Sequence, residues 1–148
     1  MKSNINLALI DLGMGNLGSV KNSLNFLGFN YEVIKFPKEL RKQTHIILPG
    51  VGSFKKAMKI LREKKLDKRI KHLVLEEKVK ILGICLGMQL LFSESEEFGF
   101  TKGLDLIPGK VTLIPKTSID GKKLKVPHMG WNSLILSESF NSWDGTLL

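Results

Sequence analysis

The sequence predicts an α/β fold of three layers, in which a mostly parallel sheet is flanked by helices. Short apolar runs alternate with amphipathic segments as far as Phe92, and this alternation is typical of a parallel sheet covered on both faces. Beyond Gly99 the pattern changes, because glycines and prolines interrupt short β-like runs. We therefore expect the parallel sheet to be followed by an antiparallel C-terminal extension.

The elements can be assigned in chain order from the period of their apolar residues. A helix that begins at Asn16 ends before Gly28, and the continuous apolar run before Gly83 predicts a strand buried within the sheet. The predicted strands cover 5–10, 31–35, 45–48, 79–84, 110–114 and 133–136, and the predicted helices cover 16–27, segments of 53–75, and 86–92.

Composition limits the possible functions. The 148 residues are expected to form a single domain, and one cysteine excludes an internal disulfide. No apolar run approaches the length of a membrane span and no leader is visible, which predicts a cytoplasmic protein without a membrane. The net charge of +9 comes from scattered lysines with no aromatic stacking platform, so we expect no nucleic-acid partner. One cysteine and three dispersed histidines show no ligand spacing, so neither a metal nor another cofactor is expected.

The segment G-I-C-L-G at positions 83–87 is the strongest local signal. Where a strand turns abruptly into a helix, the residue at the turn is strained, and only small residues two positions either side let the backbones pass. Gly83 and Gly87 stand at those positions around Cys85, which predicts a nucleophile elbow. The start of a helix favours the thiolate of such a cysteine, and the Leu86 amide would face an oxyanion. The alternative is that Cys85 is a buried structural thiol.

A second glycine-rich segment, P-G-V-G-S at positions 49–53, follows an apolar run and precedes a helical one. We call it the glycine loop. Its amides could face an anion or the oxygen of an acyl transition state, whereas its spacing fits neither common nucleotide-binding pattern. The alternative is an ordinary strand-to-helix turn with Ser53 as the N-cap. Because ligand chemistry gathers at the carboxyl ends of parallel strands, we expect 11–16, the glycine loop and the elbow to share one edge.

Four segments together resemble one family, the class I glutamine amidotransferases, whose fold is flavodoxin-like. They are D-L-G-M-G-N at 11–16, P-G-V-G-S-F at 49–54, G-I-C-L-G-M-Q at 83–89 and V-P-H-M-G-W-N at 126–132. Within the family, the glycine loop and the last segment are most similar to glutaminase subunits of imidazole glycerol phosphate synthases, which act in histidine biosynthesis. The resemblance runs along essentially the whole chain.

The resemblance implies the role of each site residue. Cys85 would attack the side-chain amide of glutamine, form a glutamyl thioester and release ammonia, after which water frees glutamate. The amides of Leu86, Val51 and Gly52 would form the oxyanion hole, and Gly50, Gly52 and Gln89 would hold the substrate. Ammonia would then pass to a (β/α)₈-barrel cyclase subunit in a heterodimer, with Asn16 and Trp131 at the interface.

The family also carries a histidine and a carboxylate near its C-terminus, in segments resembling F-V-H-S-Y and H-P-E. Neither segment occurs here, and His45, His72 and His128 are poor substitutes. Triad members act as a unit, so we expect a truncated domain over 1–148 with glutaminase activity absent or very weak. Two alternatives stay open: an ammonia-donating paralogue for surface-sugar amidation, and a binding module that docks on a barrel without catalysis. A cysteine protease or a redox thiol would not account for P-H-M-G-W-N.

Overall fold

A four-stranded parallel sheet forms the centre of the computed structural model, which describes residues 5–126. The sheet order is β2-β1-β3-β4, and every neighbouring pair is parallel. Its strands are β1 (Leu7–Ile10), β2 (Tyr31–Ile34), β3 (His45–Gly50) and β4 (Lys80–Cys85). The predicted α/β fold with a mostly parallel sheet is confirmed.

Helices cover both faces of this sheet. They are α1 (Leu17–Phe26), α2 (Phe54–Glu63), α3 (Leu66–Leu75) and the short α4 (Leu86–Leu90). Successive side chains of a strand point to opposite faces. Leu9 accordingly packs with Leu24 of α1 in one core cluster, whereas Ile10 belongs to the cluster that contains Leu61 of α2 and Ile70 of α3. The three predicted layers therefore follow from the alternation within β1.

Local signals set the ends of the first helices. Asn16 is the N-cap of α1, and its Oδ1 accepts a hydrogen bond from the Ser19 amide at 3.2 Å. Gly28 lies two residues beyond the last helical residue and has a φ of +72°, a conformation that suits glycine. The predicted helical region 53–75 is divided at Lys65, which has a φ of +59° and separates α2 from α3.

A small second sheet follows α4. Its strands β5 (Phe92–Ser95), β6 (Thr101–Lys102) and β7 (Ile107–Val111) lie in the order β6-β5-β7. The extension predicted to be antiparallel is mixed, because β5 pairs antiparallel with β6 but parallel with β7. The strand predicted at 110–114 lies instead at 107–111, and the one predicted at 133–136 is outside the described residues.

The helix predicted over 86–92 is too long, since α4 ends at Leu90 and Phe92 already belongs to β5. The reason is long-range hydrogen bonding. The Leu90 carbonyl accepts from the Leu104 amide at 2.8 Å, and the Leu91 carbonyl accepts from the Leu106 amide at 2.8 Å. These bonds tie the chain after α4 to the segment before β7 instead of continuing the helix.

The prediction that the strand before the elbow is buried was wrong. Within the described residues β4 pairs only with β3, so it is an edge strand. Leu82 is 57% exposed and Ile84 is 37% exposed, whereas Ile47 on β3, the register partner of Leu82, is buried beside α1. An apolar sequence indicates which residues favour burial, but burial also requires an element that covers them.

The chain divides into two compact units, Met1–Leu113 and Ile114–Leu148. The described part of the second unit is a small turn in which the Ser118 hydroxyl accepts from the Lys122 amide at 3.2 Å. An isolated antiparallel bridge joins Thr117 to Lys123 beside it. That the whole chain acts as one domain stays a prediction.

Among the helices of residues 5–126, none combines the length and apolar character that crossing a bilayer requires.

His45 gives the fold a predictable pH response. Burial lowers its pKa below the ordinary value of 6.5, and Lys80 lowers it further by charge repulsion. The unfolded chain therefore takes up this proton at a higher pH than the folded chain, so the stability that neutral His45 provides is complete above about pH 6.5 and declines as the pH falls.

We expect His45→Gln to lose less thermal stability than the wild type when the pH is lowered from about 7 to about 5. Melting temperatures of the two proteins, measured in parallel by circular dichroism, would test this. Equal losses in both proteins would contradict the assignment.

Candidate functional site

Cys85 stands at the point where β4 turns into α4. It is the last residue of the strand and the N-cap of the helix, with φ +56° and ψ −117°. A non-glycine residue with these angles is strained, at a cost of about 1–3 kcal/mol. The thiol is free and the residue is exposed, which argues against a buried structural cysteine. The strand-to-helix turn predicted from the sequence is therefore present.

The two flanking glycines are required by close backbone packing. A Cβ added at Gly83 would lie 2.5 Å from the nitrogen and the Cα of Met88. A Cβ added at Gly87 would overlap the Leu48 carbonyl oxygen of β3. Any larger residue would push α4 away from the sheet, so the glycines fix how Cys85 is presented.

The glycine loop lies against this elbow. Gly50 is the register partner of Cys85, and a Cβ added at Gly50 would lie 3.3 Å from both the Gly87 nitrogen and the Leu86 Cβ. Within the described part of the chain, the amides of Val51 and Gly52 donate no hydrogen bond. Unpartnered amides beside an exposed thiol are the donors that an oxyanion hole needs.

The alternative role of the glycine loop is present as well. Ser53 is the N-cap of α2, and its hydroxyl accepts from the Lys56 amide at 3.4 Å. Gly52 has a φ of +100°, a conformation that favours glycine. The loop is thus an ordinary strand-to-helix turn whose middle amides have no partner among residues 5–126.

Residues 11–16 complete the edge. A Cβ added at Gly15 would lie 3.4 Å from the Val51 nitrogen, and one added at Gly52 would lie 3.3 Å from the Met14 Cε. Asp11 holds the turn, because its Oδ1 accepts from the Gly13 amide at 2.8 Å. The three loops share one edge as predicted. The shared edge was predicted, but the direct contact between 11–16 and the glycine loop was not.

Comparisons with known proteins identify the family. The family model described as glutamine amidotransferase class-I matches residues 8–146. The chain belongs to the class-I glutamine amidotransferase family.

Several relatives of this amidotransferase chain carry the name imidazole glycerol phosphate synthase subunit HisH. The protein from Geobacillus sp. (strain WCH70) is 54% identical over 129 residues, which are 87% of this chain and 61% of that protein. The protein from Halalkalibacterium halodurans is 56% identical over 128 residues, 86% of this chain and 59% of its own length. The protein from Bacillus subtilis (strain 168) is 52% identical over 128 residues, which are 86% of this chain and 60% of that protein. The chain therefore spans about 60% of the length of these relatives.

Solved structures support the amidotransferase fold. A structure titled as a glutamine amidotransferase matches with a TM-score of 0.62 and 21% identity, covering 72% of this chain and 55% of that one. A putative peptidase E protein from Listeria monocytogenes matches with a TM-score of 0.57 and 18% identity, and the match covers 72% of this chain and 66% of that one. At these identities the likeness concerns the fold alone.

The remaining predicted residues of the amidotransferase site have defined places. Gln89 lies four residues after Cys85, within α4, and is half-buried. Leu86 has a buried side chain, and its amide opens the helix, where no intrahelical acceptor exists. Asn16 is exposed although its side chain caps α1. Trp131 lies outside the described residues.

The described histidines lie away from Cys85. His45 begins β3 while Gly50 ends it beside Cys85, so His45 is about 16 Å along the strand from the elbow. His72 lies 3.3 Å from Glu77, which precedes the start of β4 and hence lies toward the opposite edge. His128 is outside the described residues. Within residues 5–126 of this amidotransferase chain, no histidine is placed to serve as a base for the thiol, and no group of three potential metal ligands occurs.

The sequence did not predict one further polar contact at this edge. The Glu97 Oε2 accepts a hydrogen bond from the Phe54 amide, at the start of α2, at 2.8 Å. The two residues are 43 positions apart, and no quoted sequence segment contains both. No local signal could have found this pair, because it depends on how the second sheet packs beside α2.

Proposed function

We propose that this chain is the nucleophile-bearing and glutamine-binding part of a glutaminase, the ammonia-supplying subunit of an imidazole glycerol phosphate synthase. The observation that carries the proposal is the exposed Cys85 thiol, held at a strained turn directly across from Gly50. The Val51 and Gly52 amides just beyond Gly50 have no partner among residues 5–126. The names of the relatives, at 52–56% identity for the three described above, support the choice of this glutaminase within the family.

The geometry suggests how the first half of the reaction proceeds. The Cys85 thiolate adds to the side-chain carbonyl carbon of glutamine, and the carbonyl oxygen becomes an oxyanion. The amides of Val51, Gly52 and Leu86 donate to that oxygen, and because they need not reorganise, they stabilise the transition state more than the substrate. Collapse of the intermediate forms a glutamyl thioester and releases ammonia once the leaving nitrogen has gained a proton. Water then hydrolyses the thioester to glutamate.

Substrate recognition is proposed to come from the same edge. Gly50 and Gly52 leave room for glutamine to approach the backbone closely, since neither carries a side chain. Gln89 stands one helical turn beyond Cys85 and offers an amide that can both donate and accept hydrogen bonds. No cofactor is needed for this chemistry.

The partner is proposed to be a (β/α)₈-barrel cyclase subunit that receives the ammonia, as part of a cytoplasmic heterodimer. The relatives are named as subunits of a synthase, which supports a partner of some kind. Asn16 is exposed at the catalytic edge and is our interface candidate together with Trp131. Because Asn16 also caps α1, a test at this position must separate binding from helix stability.

Turnover by this chain is proposed to be absent or very weak. Thioester formation requires a group that protonates the departing nitrogen, and hydrolysis requires one that activates water. The described residues place no histidine beside Cys85 to do either. The chain would then bind glutamine-like ligands and modify Cys85 without efficient catalysis.

Covalent labelling tests the proposal. We expect a diazoketone analogue of glutamine to add one equivalent to the chain at Cys85, as read by intact mass and peptide mapping. L-Glutamine should protect against labelling, D-glutamine should not, and Cys85→Ala should abolish it. Ammonia release should stay near background, with and without a barrel cyclase.

Three results would contradict the proposal. Labelling that glutamine does not slow would show a reactive thiol without a glutamine site. Co-purification with a cyclase without any labelling would favour the binding module that the sequence left open. Rapid ammonia release abolished by Cys85→Ala would show instead that another residue supplies the base.

A further inference from the structure

Helix α2 is attached to the second sheet at both of its ends. At its start the Phe54 amide donates to Glu97 at 2.8 Å, and near its end the Arg62 guanidinium donates to the Lys102 carbonyl at 2.5 Å. The first bond connects a loop that follows β5 with the residue directly after the glycine loop. It is partly buried, so water competes with it less than at an open surface.

Glu97 is itself firmly placed. Its amide donates to the Ser95 hydroxyl at 3.1 Å, and Ser95 is fully buried in β5. Ser95 pairs there with both β6 and β7. The Glu97 backbone is therefore tied to a three-stranded sheet that contains none of the proposed site residues.

The glycine loop has few other restraints on its helical side. The Ser53 cap to Lys56 is long, at 3.4 Å, and Gly52 has no side chain to pack. Phe54 is the first residue after the loop with a buried side chain. Fixing its amide fixes the point from which the Val51 and Gly52 amides extend toward Cys85.

We propose that Glu97 is a positioning residue for the proposed oxyanion hole, acting through its hydrogen bond to the Phe54 amide. The inference rests on the proposed function, because it assigns Glu97 a role only if the glycine loop binds the reacting oxygen. Because the Phe54 amide already donates to Glu97, the Val51 and Gly52 amides are the donors left without a partner near the start of α2 among residues 5–126.

The test compares two electrophiles on the same cysteine. A diazoketone analogue of glutamine places a ketone oxygen where the amide oxygen would lie, whereas iodoacetamide alkylates the thiol without needing the loop. In Glu97→Ala, we expect the labelling rate by the analogue to fall about 10- to 100-fold, as misplaced groups in active sites do. The iodoacetamide rate should change by less than about threefold.

Two variants provide controls. Glu97→Gln keeps an oxygen that can accept from Phe54, so we expect its labelling to stay within about threefold of the wild type. Glu96→Ala removes the neighbouring carboxylate, which pairs with Lys110 at 2.6 Å. It should label like the wild type.

Two labelling results would overturn the proposal. If Glu97→Gln is as slow as Glu97→Ala, the charge of Glu97 acts directly on the ligand and not through Phe54. If Glu97→Ala labels normally with the analogue, the loop does not depend on this bond.

Failure of the proposed function would be seen separately, as no labelling of the wild type by the analogue. Hydrogen exchange of the 50–54 segment would still decide the positioning role. Faster exchange in Glu97→Ala but not in Glu97→Gln supports it, and identical exchange in both variants and the wild type overturns it.

Discussion

Replacing Gly87 with alanine is expected to destabilise the chain by about 3 kcal/mol or more, at the upper end of what overpacking costs. The added Cβ would overlap the Leu48 carbonyl oxygen, which belongs to the central strand β3 and cannot move without breaking the sheet. Helix α4 must shift instead, and with it the Leu86 amide and the Cys85 thiol. Urea denaturation followed by circular dichroism would measure the loss, and labelling of Cys85 by the glutamine analogue should be lost with it.

Gly18 provides a matched control for the same substitution. It lies within α1, and a Cβ there would meet only the Asn16 Oδ1 at 3.6 Å, an ordinary contact. Since glycine is a poor helix former, we expect Gly18→Ala to stabilise the chain by about 0.5–1 kcal/mol. Equal stability of the Gly87→Ala and Gly18→Ala proteins would show that α4 does not pack on β3 as described.

Replacing Cys85 with glycine is expected to abolish covalent labelling completely and yet to make the fold more stable than Cys85→Ala, by about 1 kcal/mol. Glycine adopts φ +56° and ψ −117° without the clash that a Cβ produces, whereas alanine retains the strain. The gain is smaller than the full strain because glycine also loses more chain entropy on folding. The comparison therefore measures what presenting the thiol costs the fold.

Paired urea denaturation of Cys85→Gly and Cys85→Ala would test this, with iodoacetamide confirming that both lack the reactive thiol. A Cys85→Gly protein no more stable than Cys85→Ala would mean that the turn relaxes in solution and that the thiol is not held in the described conformation.

The elbow could be predicted because its causes are local. Gly83, Cys85 and Gly87 lie within one turn of chain, and the steric requirement at a sharp strand-to-helix turn depends on these positions alone. The caps at Asn16 and Ser53 were predictable for the same reason, since each bonds an amide three residues away. The catalytic and substrate roles of these residues stay predictions.

What escaped prediction depends on distant partners. The end of α4 is set by two distant residues: the Leu104 amide donates a hydrogen bond to the Leu90 carbonyl, and the Leu106 amide donates one to the Leu91 carbonyl. The Glu97 bond to Phe54 spans 43 residues. The exposure of β4 depends on which elements lie beside it, and an apolar run carries no information on that.

The exposure of β4 also determines how the purified chain should behave. Within residues 5–126, β4 is an edge strand with two exposed apolar side chains, Leu82 and Ile84, and such a strand offers a template to a second molecule. We expect self-association that grows with protein concentration, visible as a rising hydrodynamic radius in light scattering. Leu82→Lys should suppress it, as charged residues do on natural sheet edges. Solubility and reactivity at this strand are thus separable, because Leu82 is not among the proposed site residues.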